Sequence, residues 1–321
     1  MMRRLSLLAD PMIAVLIIAT AMAMALPAIG EARESMQSVS NAAIFLLFLV
    51  NGMRVARGEI AKGLSNWRFF GPLVLFVFGF MPLSGLGVSL VAHGMLAPFV
   101  ALGFVFLGTL PSTIQSATSY TTLAGGNVAL SVVGAALINI AGVFVSAPLF
   151  ALLAGTEAVT FGTETIVRIG LILILPFVIG QAVQGWTREF VIERKSKIVW
   201  LDRIVIGIAV YVAFSGAVEQ GLLSMFSPSD WGVLTALCLA LLAAGSLVAW
   251  SIAKTLGFTR ADRIAFLFAG PQKSVAIGAP LAAILFVPEI AGFVIAPLLI
   301  YHLMQLVIAA PLASWLARHP T

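Results

Sequence analysis

Charge is scarce in this sequence. Asp, Glu, Lys and Arg together make up 10% of its 321 residues, while 61% are hydrophobic. Soluble domains carry about a quarter charged residues, and a water-soluble fold of this composition would expose apolar surface on every side. Lipid is therefore the solvent for most of the chain. Cysteine is scarcer still: Cys238 is the single one and lies inside an apolar run, which rules out a disulfide framework and a thiolate metal cluster. There is no phosphate-binding P-loop, no HExxH, no pair of intramembrane aspartates and no Ser with a nearby His in one motif. Those absences speak against ATP-driven transport by this chain and against catalysis; no cofactor is expected. The net charge of +5 does not point to nucleic acid, because the basic residues sit in short runs between apolar stretches and form no basic face.

What is present is a succession of apolar stretches, each long enough to cross about 30 Å of hydrocarbon. They fall at residues 12–29, 40–55, 69–91, 95–122, 126–153, 165–186, 199–219, 231–254, 262–285 and 288–316. The pattern predicts an all-α polytopic membrane protein with about ten transmembrane helices. Of the 18 Lys and Arg, all but Arg33, Arg168 and Lys273 fall on one side of this arrangement. The other side collects Glu31, Glu34, Glu157, Glu164, Glu219, Asp230 and Glu289. Short cytoplasmic loops are enriched in Lys and Arg, so the expected location is the cell inner membrane, multi-pass, with both termini cytoplasmic. Residues 1–30, with Arg3 and Arg4 ahead of an apolar run and small residues near Ala28, also resemble a signal peptide. A retained first helix is preferred, because cleavage would break the charge parity.

Ten spans divide into two sets of five, and an odd-numbered repeat must be inserted upside down relative to its twin. The expected division is 1–158 and 159–321, the charged stretch 188–197 (REFVIERKSK) reads as the junction between two halves, and 56–68 (ARGEIAKGLSNWR) reads as a short surface helix or a plain loop anchor. Each half interrupts its fourth span with Pro among polar residues. The first interruption is LGTLPSTIQSATSYTTLAGGN, 107–127, around Pro111; the second is FAGPQKSVAIGAP, 268–280, around Pro271. Pro cannot donate a backbone hydrogen bond and clashes with the carbonyl four residues earlier. Such breaks survive at membrane depth only where they pack on protein or line a wet cavity, and a corresponding pair is the best sequence pointer to a transporter's site. Pro82, Pro98, Pro176, Pro297 and Pro311 lack polar company and read as ordinary transmembrane prolines.

At these two segments the sequence resembles the bile acid:sodium symporter family, specifically its divergent symporter-like (SBF-like) branch. The run LAGGNVALSVV, 123–133, is similar to the family stretch that leaves the first broken helix, turns at Gly-Asn and enters the next span; GPQKS, 270–274, falls at the family's second broken helix. The resemblance implies a core of spans 3–5 and 8–10, in which spans 4 and 9 cross at their breaks, beside a panel of spans 1, 2, 6 and 7. The solute would bind between the two. The resemblance places the substrate or coupling-ion pathway at Gln115, Ser116, Thr118, Ser119, Ser131, Asn139, Gln272, Lys273, Ser274 and His302. Sodium-coupled members carry side-chain oxygens where this chain has Val77, Ala117 and Phe268. Ser116, Ser131 and Asn139 are what remains of a sodium site, so ordinary sodium coupling is not expected, and the coupling ion stays open between proton and sodium.

Lys273 lies near the middle of a span, too deep to reach the interface, with no acidic residue at similar depth. Exposed carbonyls at the breaks, together with Gln115, Ser116 or Asn139, are its expected partners. There a tethered ammonium would take the place of a cation, attract an anionic solute, or release its proton, since burial disfavours the charged form. The bland alternative is a fixed counter-charge. Tyr301, His302 and Gln305 form a further polar group, read either as a proton relay through His302 or as interhelical hydrogen bonding; Asn51 reads as helix glue. The expected function is secondary transport of an organic, anionic solute by alternating access, with an intramembrane enzyme or a non-transporting regulator as the other readings. The expected partners are a small organic solute and the lipid bilayer. In a variant lacking Cys238, a cysteine at position 157 or 289 is expected to react with an impermeant maleimide added outside intact cells. A cysteine at position 193 is expected not to, and its labelling would refute the topology.

Overall fold

The computed structural model describes residues 11–54, 58, 66–155, 167–221 and 227–319. Among these residues all regular structure is helical and no strand forms. In chain order the helices are α1 (Pro11–Ala25), α2 (Gly30–Arg54), α3 (Trp67–Ala92), α4 (Pro98–Thr109), α5 (Gln115–Leu123), α6 (Val128–Ala154), α7 (Leu175–Glu193), α8 (Lys195–Glu219), α9 (Pro228–Thr255), α10 (Arg260–Ala269), α11 (Val275–Leu285) and α12 (Pro288–Arg318). Among the described residues seven stretches are long and apolar enough to cross a membrane: α2, α3, α6, Val167–Thr187, α8, α9 and α12; α1, α4 and α11 are shorter apolar helices.

Several boundaries are local chemistry. Asn127 caps α6 by accepting from Leu130 N at 3.2 Å. Ser227 and Asp230 form a reciprocal capping box at the start of α9, which satisfies two otherwise orphaned amides. Thr259 accepts from Asp262 N at the start of α10. Pro82 and Pro176, which the sequence leaves as unremarkable, each follow a π-helical turn, at Phe76–Phe80 and Gly170–Ile174. A widened turn before a Pro accommodates the missing donor without ending the helix.

The structure corrects the expected boundaries in three places. The span predicted at 40–55 starts at Gly30, because Glu31, Arg33, Glu34 and Gln37 form polar helical turns that a hydropathy reading excludes. The first span stops at Ala25 rather than 29, two residues before Pro27. The segment 188–197 is not a loop: α7 runs to Glu193 and α8 starts at Lys195, with only Arg194 between them. Most of 56–68, the division at 158/159, and Arg3, Arg4, Glu157 and Glu164 lie outside the described residues.

Helices α2 and α7 pack together, α8 lies against α1 and α2, and α8 in turn faces α11 and α12. On the other side α4 packs between α3 and α12, while α10 contacts α5, α6 and α9. The α2–α7 contact is at backbone distance: a Cβ on Gly52 would stand 2.2 Å from the Phe177 carbonyl oxygen, and one on Gly180 would stand 2.2 Å from that of Leu49. In lipid, where apolar burial alone gives helices no reason to associate, such close backbone approach supplies the van der Waals contact. Gln181 Nε2 adds a hydrogen bond to the Gly52 carbonyl at 2.6 Å. Because backbone atoms cannot move aside as a flexible side chain would, Gly52→Ala and Gly180→Ala are each expected to destabilise by about 1–3 kcal/mol. Gly87→Ala, which meets nothing within 4 Å, is the neutral comparison. Thermal unfolding of the three purified variants in detergent checks this.

Candidate functional site at two crossing helix breaks

Helix α4 ends at Thr109 and α5 begins at Gln115; α10 ends at Ala269 and α11 begins at Val275. The intervening segments, 110–114 and 270–274, touch directly, since Ser274 N donates to the Pro111 carbonyl at 3.0 Å. Both run through a buried interior, so their backbone groups need protein partners. The second break is held mainly by α12. Gln305 clasps the Lys273 peptide from both sides: its Oε1 accepts from Lys273 N at 2.8 Å and its Nε2 donates to Lys273 O at 3.0 Å. Tyr301 Oη donates to Pro271 O at 2.7 Å, and Gln305 Nε2 lies 2.8 Å from His302 Nδ1. The first break is held by α6, where Asn139 Nδ2 donates to Ser112 O at 2.7 Å and Ser146 Oγ to Thr109 O at 2.8 Å.

Lys273 is fully buried. Its Nζ donates to the carbonyls of Gly108, at 2.8 Å, and Leu110, at 2.7 Å. Gly108 belongs to the last turn of α4, where carbonyls lack amide partners and the helix dipole is negative. The Lys273 amino group thus caps a half-helix that Pro111 prevents from continuing. Desolvating a charge costs several kcal/mol unless hydrogen bonds offset it, and bonds to a charged group contribute about 1.5–3 kcal/mol each.

Of the expected partners of Lys273, the exposed carbonyls are found and the side chains are not. Ser116 Oγ donates to Gln272 Oε1 at 2.7 Å, as does Thr113 Oγ1 at 3.0 Å, and the two hydroxyls also contact each other. Gln115 and Ser119 are exposed on one face of α5. Asn139 serves Ser112 instead. Thr118 is half-buried, and its hydroxyl has no partner among the described residues. Ser131 is fully buried against Thr121, whose Oγ1 donates to it at 3.2 Å. Ser131 and Asn139 are eight residues apart on α6, about 12 Å along the axis, so they cannot meet at one ion. Gln272, Lys273, Ser274 and His302 do come together at the second break; Asn51 binds its own helix neighbour Arg54 at 2.6 Å rather than another helix. Sequence reasoning left Thr113, Tyr301 and Gln305 outside the site. The polar cluster on α12 was the available signal for the last two.

A cavity of ≈ 20 Å³ adjoins the second break, lined in part by Ser246, Phe268, Pro271, Gln272 and Gln305. It has room for one water molecule and no more. Gln305→Leu strands both backbone groups of Lys273 and is expected to lower stability by about 1–3 kcal/mol, whereas Gln115→Leu, on an exposed face, is not. Thermal exposure of the buried thiol of Cys238 to a fluorogenic maleimide is the readout.

The profile of the SBF-like CPA transporter family matches residues 10–318. A Pseudomonas aeruginosa PAO1 protein designated PA2026 is 35% identical over 321 residues, covering 99% of this chain and 96% of the relative. The Escherichia coli K12 protein named "Putative symporter YfeH" is 34% identical over 307 residues, covering 95% and 92% respectively. Mouse sodium/bile acid cotransporter 7 is 24% identical over 286 residues, covering 87% and 84%. With a profile match over nearly the whole chain and two relatives above 30% identity at nearly full length, this chain is a multi-pass membrane protein belonging to the SBF-like CPA transporter family.

Proposed function

We propose that the protein is a secondary transporter that moves an organic, anionic solute by alternating access, with the Lys273 ammonium standing in for a coupling cation. The observation that carries this reading is the fully buried Nζ, bonded to the Gly108 and Leu110 carbonyls beside the contact between the two breaks. No carboxylate pairs with it among the described residues. A buried point charge satisfied by backbone oxygens is electrically what a bound cation would be at the same place, except that it cannot leave. Coupling to sodium is then unnecessary for holding the breaks together, and the net positive charge favours an anionic solute.

The proposed architecture is ten passes as two inverted sets of five. A panel of α1, α2, α7 and α8 stands beside a core of α3–α6 and α9–α12. Supporting it are the α2–α7 and α1–α8 packing, the contacts of α10 with α5 and α6, and the occurrence of one Pro-broken pass in each half. Organic solutes occupy sites of about 300–1,000 Å³, far above the cavity beside Gln272, so a solute requires the panel and core to part.

The test is uptake into proteoliposomes loaded with equal amounts of monodisperse wild-type, Lys273→Met and Lys273→Arg protein. Taurocholate is the first probe, followed by carboxylates and sulfonates that stabilise the protein in a thermal-shift screen. Wild-type uptake is expected to persist when potassium replaces sodium. The Met variant, which keeps the apolar stem, is expected to fall to background. The Arg variant is expected to fall at least tenfold, because a planar guanidinium does not fit two carbonyls arranged around a compact ammonium. Wild-type rates from the Met variant would remove Lys273 from the mechanism, and a strict sodium requirement would remove the tethered-cation reading.

A further inference from the structure

The N-terminal turns of α2 carry an interaction that the crossing breaks do not explain. Arg33 pairs through Nη1 with Glu219, the last residue of α8, and through Nη2 with Glu289 Oε1, at 2.7 Å, in the first turn of α12. One guanidinium therefore ties two helices of the proposed panel to one helix of the proposed core. Glu219 gains nothing from its own helix, since the C-terminal end repels negative charge; Arg33 is its compensation. Next to this clamp the seam is shut at backbone level, for a Cβ on Gly216 would stand 2.2 Å from the Pro288 carbonyl oxygen.

One to two turns further along α2 and α8 from the clamp lie neutral polar side chains. Gln37 follows Arg33 by one turn of α2, and its Nε2 reaches Asn41 Oδ1 at 3.1 Å and the Ala283 carbonyl of α11 at 3.3 Å. Ser40 follows on the same face, and Ser215 precedes Glu219 by one turn of α8. Both serines are fully buried, and neither hydroxyl has a hydrogen-bond partner among the described residues. Burying an unpaired hydroxyl is unfavourable, and Ala would fill either place without that cost. Two orphaned hydroxyls on the panel helices, beside a seam that a salt bridge holds shut, imply a partner that arrives when it opens.

We propose that Arg33, Glu219 and Glu289 form the outer gate of the solute path, and that Gln37, Ser40, Asn41 and Ser215 line a hydrogen-bonding subsite behind it for the hydroxyl or carboxylate oxygens of a polar organic solute. This rests on the transport reading and on the topology that puts Glu219 and Glu289 on the periplasmic side. The subsite offers amide and hydroxyl groups of both hydrogen-bonding polarities. With the tie to Glu289 broken, the guanidinium regains a free edge that suits a carboxylate.

The experiment follows access rather than transport. Ser40→Cys and Ser215→Cys are placed singly in a Cys238→Ala background, and an impermeant maleimide is added from the periplasmic side. With the clamp intact, labelling is expected to be slow. Glu289→Gln cuts the tie between panel and core and is expected to speed labelling of both cysteines at least tenfold. Glu219→Gln cuts only a tie within the panel and is expected to leave the rate unchanged. Should Glu289→Gln not yield monodisperse protein, Glu289→Asp loses the reach but keeps the helix N-terminal charge, and carries the same expectation. Equal labelling in wild-type and Glu289→Gln protein, or an equal rise in Glu289→Gln and Glu219→Gln, overturns the gate. Normal uptake with labelling indifferent to Glu289 overturns the gate and leaves transport standing. Labelling that follows Glu289 in a protein that moves no solute supports the opening seam and overturns the transport reading instead.

Discussion

Two interrupted helices expose backbone carbonyls and amides in a buried interior where they need protein partners, and the arrangements around them answer that constraint. The first break is answered by α6, through Asn139 and Ser146, and the second by α12, through Tyr301 and Gln305. The breaks also answer each other through Ser274 N and the Pro111 carbonyl. Lys273 completes the set by carrying a charge from the second break to the free carbonyls at the end of α4. Because these bonds draw on α4, α5, α6, α10, α11 and α12 together, the breaks bind those helices into one unit.

The interfaces differ in chemistry. Helices α2 and α7 meet through glycine at backbone distance, an arrangement with no slack. The seam between α8 and α2 on one side and α11 and α12 on the other combines a close backbone approach with half-exposed ion pairs and unpaired hydroxyls. Ion pairs of that kind contribute little net stability, and unpaired hydroxyls subtract from it. The ion pairs and hydroxyls therefore hold this seam weakly, and its closure rests on the backbone approach at Gly216.

The buried ammonium bears on coupling as well as on folding. A mobile cation at a helix break contributes its charge only while bound, so the geometry of the break then depends on ion concentration. A lysine contributes the same charge, while protonated, without being able to leave. Ser116 and Thr113 converge on Gln272, and Thr121 donates to Ser131. Under the proposed mechanism the energy for transport comes from somewhere other than an ordinary sodium site, and the charge of the solute is set against a fixed cation.

The sequence by itself determined that the chain lives in lipid and is all helix, where its apolar stretches fall, and that Pro111 and Pro271 interrupt two of them. These are properties of composition and local backbone chemistry: an apolar run has one compatible solvent, and Pro lacks a donor wherever it is placed. It also marked Lys273 as anomalous, since a deep charge without a nearby acid is visible in one dimension. Only the tertiary structure decided which oxygens receive that charge. Gly108 and Leu110 offer main-chain carbonyls, which leave no trace in residue identity, and they lie more than 160 positions from Lys273. The same holds for Gln305, whose amide is meaningful only once α12 lies against the second break, and for Arg33, whose role needs α2, α8 and α12 to meet at one end. Long-range partnership between polar groups depends on how helices are packed, and hydropathy records only which residues prefer to be packed.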